Sequence, residues 1–257
     1  MKFVFDLDGT ICFKGQPLCE EITEALQYCR HMGHEVIFAS ARPIRDLLPV
    51  LPKEMHMYHM IGGNGTFVAN DGKITHLTSF DHQTKEQIKQ IIEDLKLSYL
   101  IDTEWDYAYT GSTEHPIFRN LDPDQLAKNI SIHKMEQMIK VVLFPNEHVS
   151  EILSRLNLLH VRTYIHRQEN ILDISPIGTD KWIGLQKLNV KEQDFIAFGN
   201  DANDIPMFQF ATEAVCVGKH EELQKVATWN VESNAGAVAD KIKELSKVYA
   251  TQLEMYR

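Results

Sequence analysis

Two aspartates stand two positions apart in the stretch Lys2-Phe-Val-Phe-Asp6-Leu-Asp8-Gly9-Thr10. Residues i and i+2 of an extended backbone project to the same side. The run Lys2–Phe5 is apolar enough for a buried strand, and Gly9-Thr10 is a turn signal that ends it. The pair therefore belongs at the strand's carboxyl end. Two carboxylates placed there can hold a hard divalent cation and leave one oxygen free to attack phosphorus. By average residue usage, Asp-x-Asp-Gly-Thr arises by chance in on the order of one in several hundred chains this long. An Asp-rich solvated turn is the competing reading.

Three further groups fall in the same kind of place. Ser40 follows the apolar run Glu35–Ala39, Lys181 opens a helical stretch, and Asn200-Asp201-Ala202-Asn203-Asp204 follows the run Phe195–Phe198 and Gly199. Judged alone, Ser40 reads equally as a donor to a phosphoryl oxygen and as a helix N-cap before Pro43. A single Lys at a helix start is ordinarily a solvated surface residue. Ligands of open α/β sheets bind at the carboxyl edge of the strands, so the four groups can converge although they are far apart in sequence.

The elements that must position them alternate. Ile22, Ala25, Leu26, Cys29 and Met32 recur at helical spacing with Gly33 as C-cap, Glu35–Ala39 is a strand, and Tyr58–Ile61 is another, ending in Gly62-Gly63-Asn64-Gly65. A hairpin turning on Asn70-Asp71-Gly72 follows. The middle of the chain predicts a helix over 85–95, strands at 99–102, 107–110 and 140–144, a helix over 149–156, and antiparallel strands at 161–166 and 170–174. Strand–helix alternation resumes with Lys181–Lys187, Phe195–Phe198 and 214–218, and a last helix starts near Ala237. The expected fold is α/β: a Rossmann-like parallel-sheet core with helices on both faces, residues 1–78 and 176–257, and an inserted α+β cap, residues 79–175.

The 257 residues carry a net charge of −10, with 44% hydrophobic and 24% charged residues. That balance suits a globular protein and argues against a nucleic-acid surface, which needs clustered Lys and Arg. No apolar run approaches the roughly 18 residues of a membrane span. Cys12, Cys19, Cys29 and Cys216 lack C-x-x-C spacing and read as reduced thiols, in keeping with a cytoplasmic protein. Twelve histidines include the close pairs His31/His34 and His56/His59, which without a third ligand read as surface or core residues, and Met55, Met57 and Met60 read as packing.

On these motifs the chain resembles the haloacid-dehalogenase-like hydrolases, and within them the Cof-type phosphatases of subclass IIB. The likeness runs along essentially the whole chain: Asp6-Leu-Asp8-Gly-Thr10, Ser40 within Ala39-Ser-Ala-Arg-Pro43, Lys181 within Gly178-Thr-Asp-Lys181, the motif Gly199–Asp204, and Asn64-Gly65 before the cap. The resemblance implies a Mg2+-dependent phosphatase of small phosphomonoesters such as sugar phosphates or nucleotides. Asp6 would be the nucleophile and form an aspartyl-phosphate. Asp8 would protonate the leaving group and then activate water, with its main-chain carbonyl on the metal. Ser40 and Lys181 would bind phosphoryl oxygens, and Lys181 would hold Asp6 ionised.

Other positions carry two readings. Ala41 and Arg42 lie where the family approaches substrate or cap, Arg42 otherwise being a surface ion pair, and Asn64 and Gly65 either line the ligand or form a turn. The fourth motif departs from the usual G-D-x-x-N-D. Either Asp201 turns inward as the metal ligand, the reading favoured here, or Asn200 coordinates through its amide and metal affinity falls, with Asn203 and Asp204 supporting. Two smaller departures, Ala41 in place of the usual Gly and Trp182 after the Lys, are both expected to reshape the pocket floor without removing any chemistry. Cap residues near Asp102–Trp105 or His166–Glu169 would select the substrate. A phosphotransferase of the phosphomutase kind is the alternative enzyme. A phospho-receiver or metal-binding switch is the non-enzymatic one, disfavoured by the length and the inserted cap.

Overall fold

The computed structural model describes residues 1–145, 147–166 and 170–255. In chain order the strands are β1 (Lys2–Phe5), β2 (Glu35–Ala39), β3 (His59–Gly62), β4 (Phe67–Asn70), β5 (Lys73–Leu77), β6 (Ser98–Asp102), β7 (Tyr107–Tyr109), β8 (Lys140–Phe144), β9 (Val161–His166), β10 (Ile171–Pro176), β11 (Phe195–Gly199), β12 (Glu213–Val217) and β13 (Trp229–Val231). They form an eight-stranded sheet of order β13-β12-β11-β1-β2-β3-β4-β5 and a five-stranded sheet of order β7-β6-β8-β10-β9. Two compact units result, Met1–Thr75 with Asp180–Arg257, and His76–Thr179. The expected boundaries differ by three or four residues, since 76–78 and 176–179 go to the second unit.

In the first unit β1 is the central strand, paired in parallel with β11 and β2, so that Phe3 lies opposite Ile196 and Val36. Both faces of β1 are covered and Phe3, Val4 and Phe5 are fully buried, which is why the strand reads as an unbroken apolar run. β12, β13 and β3 continue the parallel sheet, and β4 turns back antiparallel on β3. Asp71 and Gly72, at φ 48° and 70°, supply the left-handed pair that the tight turn from β4 to β5 requires.

Helices cover the two faces. On one, Lys181–Lys187 and Ile205–Phe208 set Trp182, Leu185, Met207 and Phe208 against Val4, Ile37 and Ala197. On the other, Glu20–His31 buries Ile22, Ala25, Leu26 and Cys29 and packs beside Ala235–Met255. Trp182 stacks on Phe195 and Phe210, at 5.8 and 4.6 Å between ring centres. It is therefore core filler, not the pocket floor expected of it. His34 and His56 hydrogen-bond main-chain carbonyls, and His59 pairs with Glu35.

The strands β6 to β10 of the second unit pair antiparallel. Helices His82–Asp94 and Val149–Leu156 lay Ile88, Ile91, Ile92, Ile152 and Leu156 on Ile101, Val141, Leu143, Leu172 and Ile174. The first of these helices begins three residues before its expected start because Asp81 accepts from the Thr84 N–H as N-cap. Trp105 donates to the Leu126 carbonyl, and Asp102 is buried at the end of β6. Of the expected His166–Glu169 segment, 167–169 lie outside the described residues. All four cysteines are free. No helix among the described residues is long and apolar enough to cross a membrane.

Candidate active site

The four groups singled out in the sequence lie at one edge of the parallel sheet. The ladder runs one residue past β1 and β2: the Asp6 N–H donates to the Phe198 carbonyl at 2.9 Å and the Ser40 N–H to the Ile61 carbonyl at 2.8 Å. These bonds fix Asp6 and Ser40 at neighbouring strand tips. After Asp6 the chain folds tightly, with the N–H groups of Thr10, Ile11 and Cys12 all donating to the Leu7 carbonyl. Gly9 sits at φ 81°, and a Cβ there would lie 2.2 Å from the Asn200 side-chain nitrogen. Only glycine lets the first and fourth motifs close on each other.

Lys181 joins them. It is the first residue of its helix, held by the N-cap Asp180, whose side chain accepts from the Ile183 N–H at 2.8 Å. Its ammonium is fully buried and donates to Asp6 Oδ1 and Asp204 Oδ1, both at 2.6 Å. Burial works against that charge, yet Asp204 and Asp6 outweigh it and raise the lysine's pKa, so Lys181 stays protonated. Burial, opposed by Lys181 and reinforced by Asp204 and Asp8, holds the Asp6 carboxyl up at about 7. A further cation at Asp6 would complete its ionisation.

The other Asp6 oxygen, Oδ2, accepts from Thr10 Oγ1 at 2.8 Å, and Thr10 Oγ1 also reaches Asn200 Oδ1 at 3.3 Å. Asn200 thus stands beside the nucleophile candidate. The Asp201 side chain, the favoured metal ligand of the sequence reading, is engaged elsewhere. It caps the short helix Ala202–Asp204 through the Ala202 N–H, forms a capping box with Asp204, and faces His220 at 3.3 Å, 45% exposed. The capping box decides the direction. Asp204 Oδ2 in turn accepts from the N–H groups of Asn200 and Asp201, at 2.9 and 3.1 Å, and so shapes the loop.

Asp8 carries a bidentate guanidinium, Arg42 Nε on Oδ2 at 2.7 Å and Nη2 on Oδ1 at 2.5 Å. Arg42 therefore grips the acid-base candidate: it is in an ion pair, as its second reading had it, with Asp8 as the partner. Ser40 Oγ accepts from the Arg42 N–H at 3.1 Å, and Ala41 lies half-buried in the bend between them. Asn64, at φ 55°, donates its N–H to the Ser40 carbonyl and accepts from Asn203 Nδ2 at 3.1 Å. Its own Nδ2 is buried without a partner. Gly65, at φ 95°, brings its backbone so close to Asp180 that a Cβ would stand 2.1 Å from the Asp180 carbonyl.

No group of three or more His, Cys, Asp or Glu suited to a metal occurs among the described residues. The oxygens brought together at Thr10 still suit a hard cation: one Asp6 carboxylate oxygen and the Asn200 amide oxygen. Thr10 and His220 were missed in the sequence. Thr10 was visible as the end of the first motif, whereas nothing in the sequence ties His220 to Asp201.

The family model of haloacid dehalogenase-like hydrolases matches residues 3–242. A phosphoglycolate phosphatase of Nitrosopumilus maritimus is 27% identical over 257 residues, covering 96% of each chain. The 5-amino-6-(5-phospho-D-ribitylamino)uracil phosphatase YitU of Bacillus subtilis is 26% identical over 232 residues, covering 83% of this chain and 84% of its own. Among solved structures, the HAD subclass IIB sugar phosphatase BT4131 superposes with a TM-score of 0.79 at 16% identity, covering 95% of this chain and 98% of its own. The two chains share a fold over nearly their whole lengths. The chain is an enzyme of the haloacid dehalogenase-like hydrolase family.

Proposed function

We propose that this hydrolase is a Mg2+-dependent phosphatase of small phosphomonoesters, sugar phosphates or nucleotides, working in the cytoplasm through an aspartyl-phosphate on Asp6. The observation that carries the proposal is the pinning of buried Asp6 between Lys181 and Thr10, with Asn200 and Asp8 on the same strand edge. A carboxylate fixed there needs no base to become a nucleophile. The phosphatase activities of the relatives support the same class of reaction.

In the first half-reaction a carboxylate oxygen of Asp6 bonds to phosphorus as the ester oxygen leaves, and Asp8 gives that oxygen a proton. In the second, water attacks phosphorus, Asp8 takes its proton, and Asp6 and inorganic phosphate separate. Lys181 offsets the charge of Asp6 and of the phosphoryl group throughout, and Ser40 donates to a phosphoryl oxygen. Asp6, the Asp8 main chain and Asn200 would hold Mg2+, which when bound cancels repulsion between carboxylate and phosphoryl dianion. The inserted unit, residues 76–179, would select the leaving group.

The test is a phosphate-release screen over a metabolite panel with and without Mg2+, beside Asp6→Asn. Turnover of p-nitrophenyl phosphate should vanish in the variant; an unchanged kcat refutes Asp6 as nucleophile.

A further inference from the structure

The carboxylates of the cradle differ in what they have left to offer a cation. Asp204 has least: Oδ1 is on the Lys181 ammonium, and Oδ2 is on two main-chain N–H groups. Both oxygens of Asp8 are on Arg42. Asp201 is turned away by its capping box and faces His220. Asp6 keeps one oxygen, Oδ2, whose partner is the neutral Thr10 hydroxyl. Beside it stands the neutral amide of Asn200, where a carboxylate would have added a second charge.

Mg2+ dehydrates reluctantly and prefers anionic oxygens in a near-octahedral set. A single carboxylate oxygen, already shared with a buried ammonium through its other atom, makes a poor site. A phosphoryl dianion in the same cradle would supply the missing charge. We infer that this chain binds its divalent cation and its phosphoryl ligand as a coupled pair, because Asn200 leaves the free cradle one charge short. The inference rests on the phosphatase reading and deepens it: the enzyme would fill its metal site only when phosphate is present. Coupling of this kind is reciprocal, so each partner must tighten the other by the same factor.

Isothermal titration calorimetry on the whole protein tests this with Mg2+ alone, inorganic phosphate alone, and each in the presence of the other at saturation. Phosphate should lower the Mg2+ Kd at least tenfold, about 1.4 kcal/mol, and Mg2+ should lower the phosphate Kd equally. Asn200→Asp keeps the side chain's shape and adds the charge. It should tighten Mg2+ on the free protein at least tenfold and reduce the coupling below threefold. Asp201→Asn, which preserves an N-cap, should move the Mg2+ Kd less than threefold. A Mg2+ Kd indifferent to phosphate overturns the inference, and so does a larger effect of Asp201→Asn than of Asn200→Asp. Coupled binding without turnover of any phosphomonoester would sink the phosphatase reading instead, and turnover with uncoupled binding would sink only this inference.

Discussion

Lys181 balances two buried carboxylates with one ammonium, and their other hydrogen-bond partners, the Thr10 hydroxyl and two main-chain N–H groups, are uncharged. Lys181→Met would leave Asp6 and Asp204 facing each other without compensation, and removing one partner of a buried pair costs about 3–5 kcal/mol. Urea denaturation should record a loss of that size, and turnover should disappear. Arg42 presents a subtler case. If its guanidinium aims Asp8 as proton donor, Arg42→Ala should lower kcat on an alkyl ester such as glycerol 3-phosphate by about 10²-fold. p-Nitrophenolate leaves without a proton, so its ester should suffer far less. Equal losses on both esters would make Arg42 a general support of the loop. The placing of Asp6, Asp8 and Ser40 was legible because they follow apolar runs, and that of Lys181 because it opens a helical stretch. The choice between Asn200 and Asp201 was not, since adjacent residues in a turn can point either way until a capping box fixes one of them.

At the scale of elements, the loop after β3 is set by backbone clearance. Gly65→Ala would force a Cβ onto the Asp180 carbonyl at positive φ, a strain on the order of 1–3 kcal/mol. Because Asp180 caps the helix that begins with Lys181, activity should fall beyond what the melting midpoint alone explains. A second element-level consequence concerns His34, at the entry to β2. Its Nε2 donates to the Ser246 carbonyl of the last helix, while Nδ1 is buried without a partner. Burial lowers its pKa below the ordinary 6.5, so below that pH the unfolded chain binds a proton that the folded one refuses. Stability is full above the unfolded value and declines as pH falls below it. Asp6, whose raised pKa favours the fold as pH falls, acts in the same window with the opposite sign, so the test is differential: between pH 7.5 and 5.5 the urea midpoint should fall relative to that of His34→Leu. The parallel strands and their helices were readable from unbroken apolar runs and 3.6-residue spacing. Edge strand β13, Trp229–Val231, was not, because it is mostly exposed and carries no pattern. The helix Pro116–Asn120 buries no residue and left no trace either.

For the whole molecule, the net charge of −10 opposes the approach of a dianionic ester, and the site's two cations, Lys181 and Arg42, are each already paired. Screening should therefore help. Raising monovalent salt from about 10 to 100 mM shortens the Debye length from about 30 to 10 Å, and kcat/KM for a phosphomonoester should rise. A fall would mean that local attraction outweighs the global field. The sequence suggests an insert because its patterning changes from parallel to antiparallel within residues 79–175.

The central strand has one further consequence. β1 is made first, but its neighbour β11 comes about three quarters of the way along the chain. While the ribosome is still at work, one flank of that strand has no hydrogen-bonding mate, and Asp6 waits 175 residues for its lysine. Such distant pairing makes for slow folding. A nascent fragment that stops short of residue 195 would expose a bare, oily ribbon, an invitation to chaperones and to clumping.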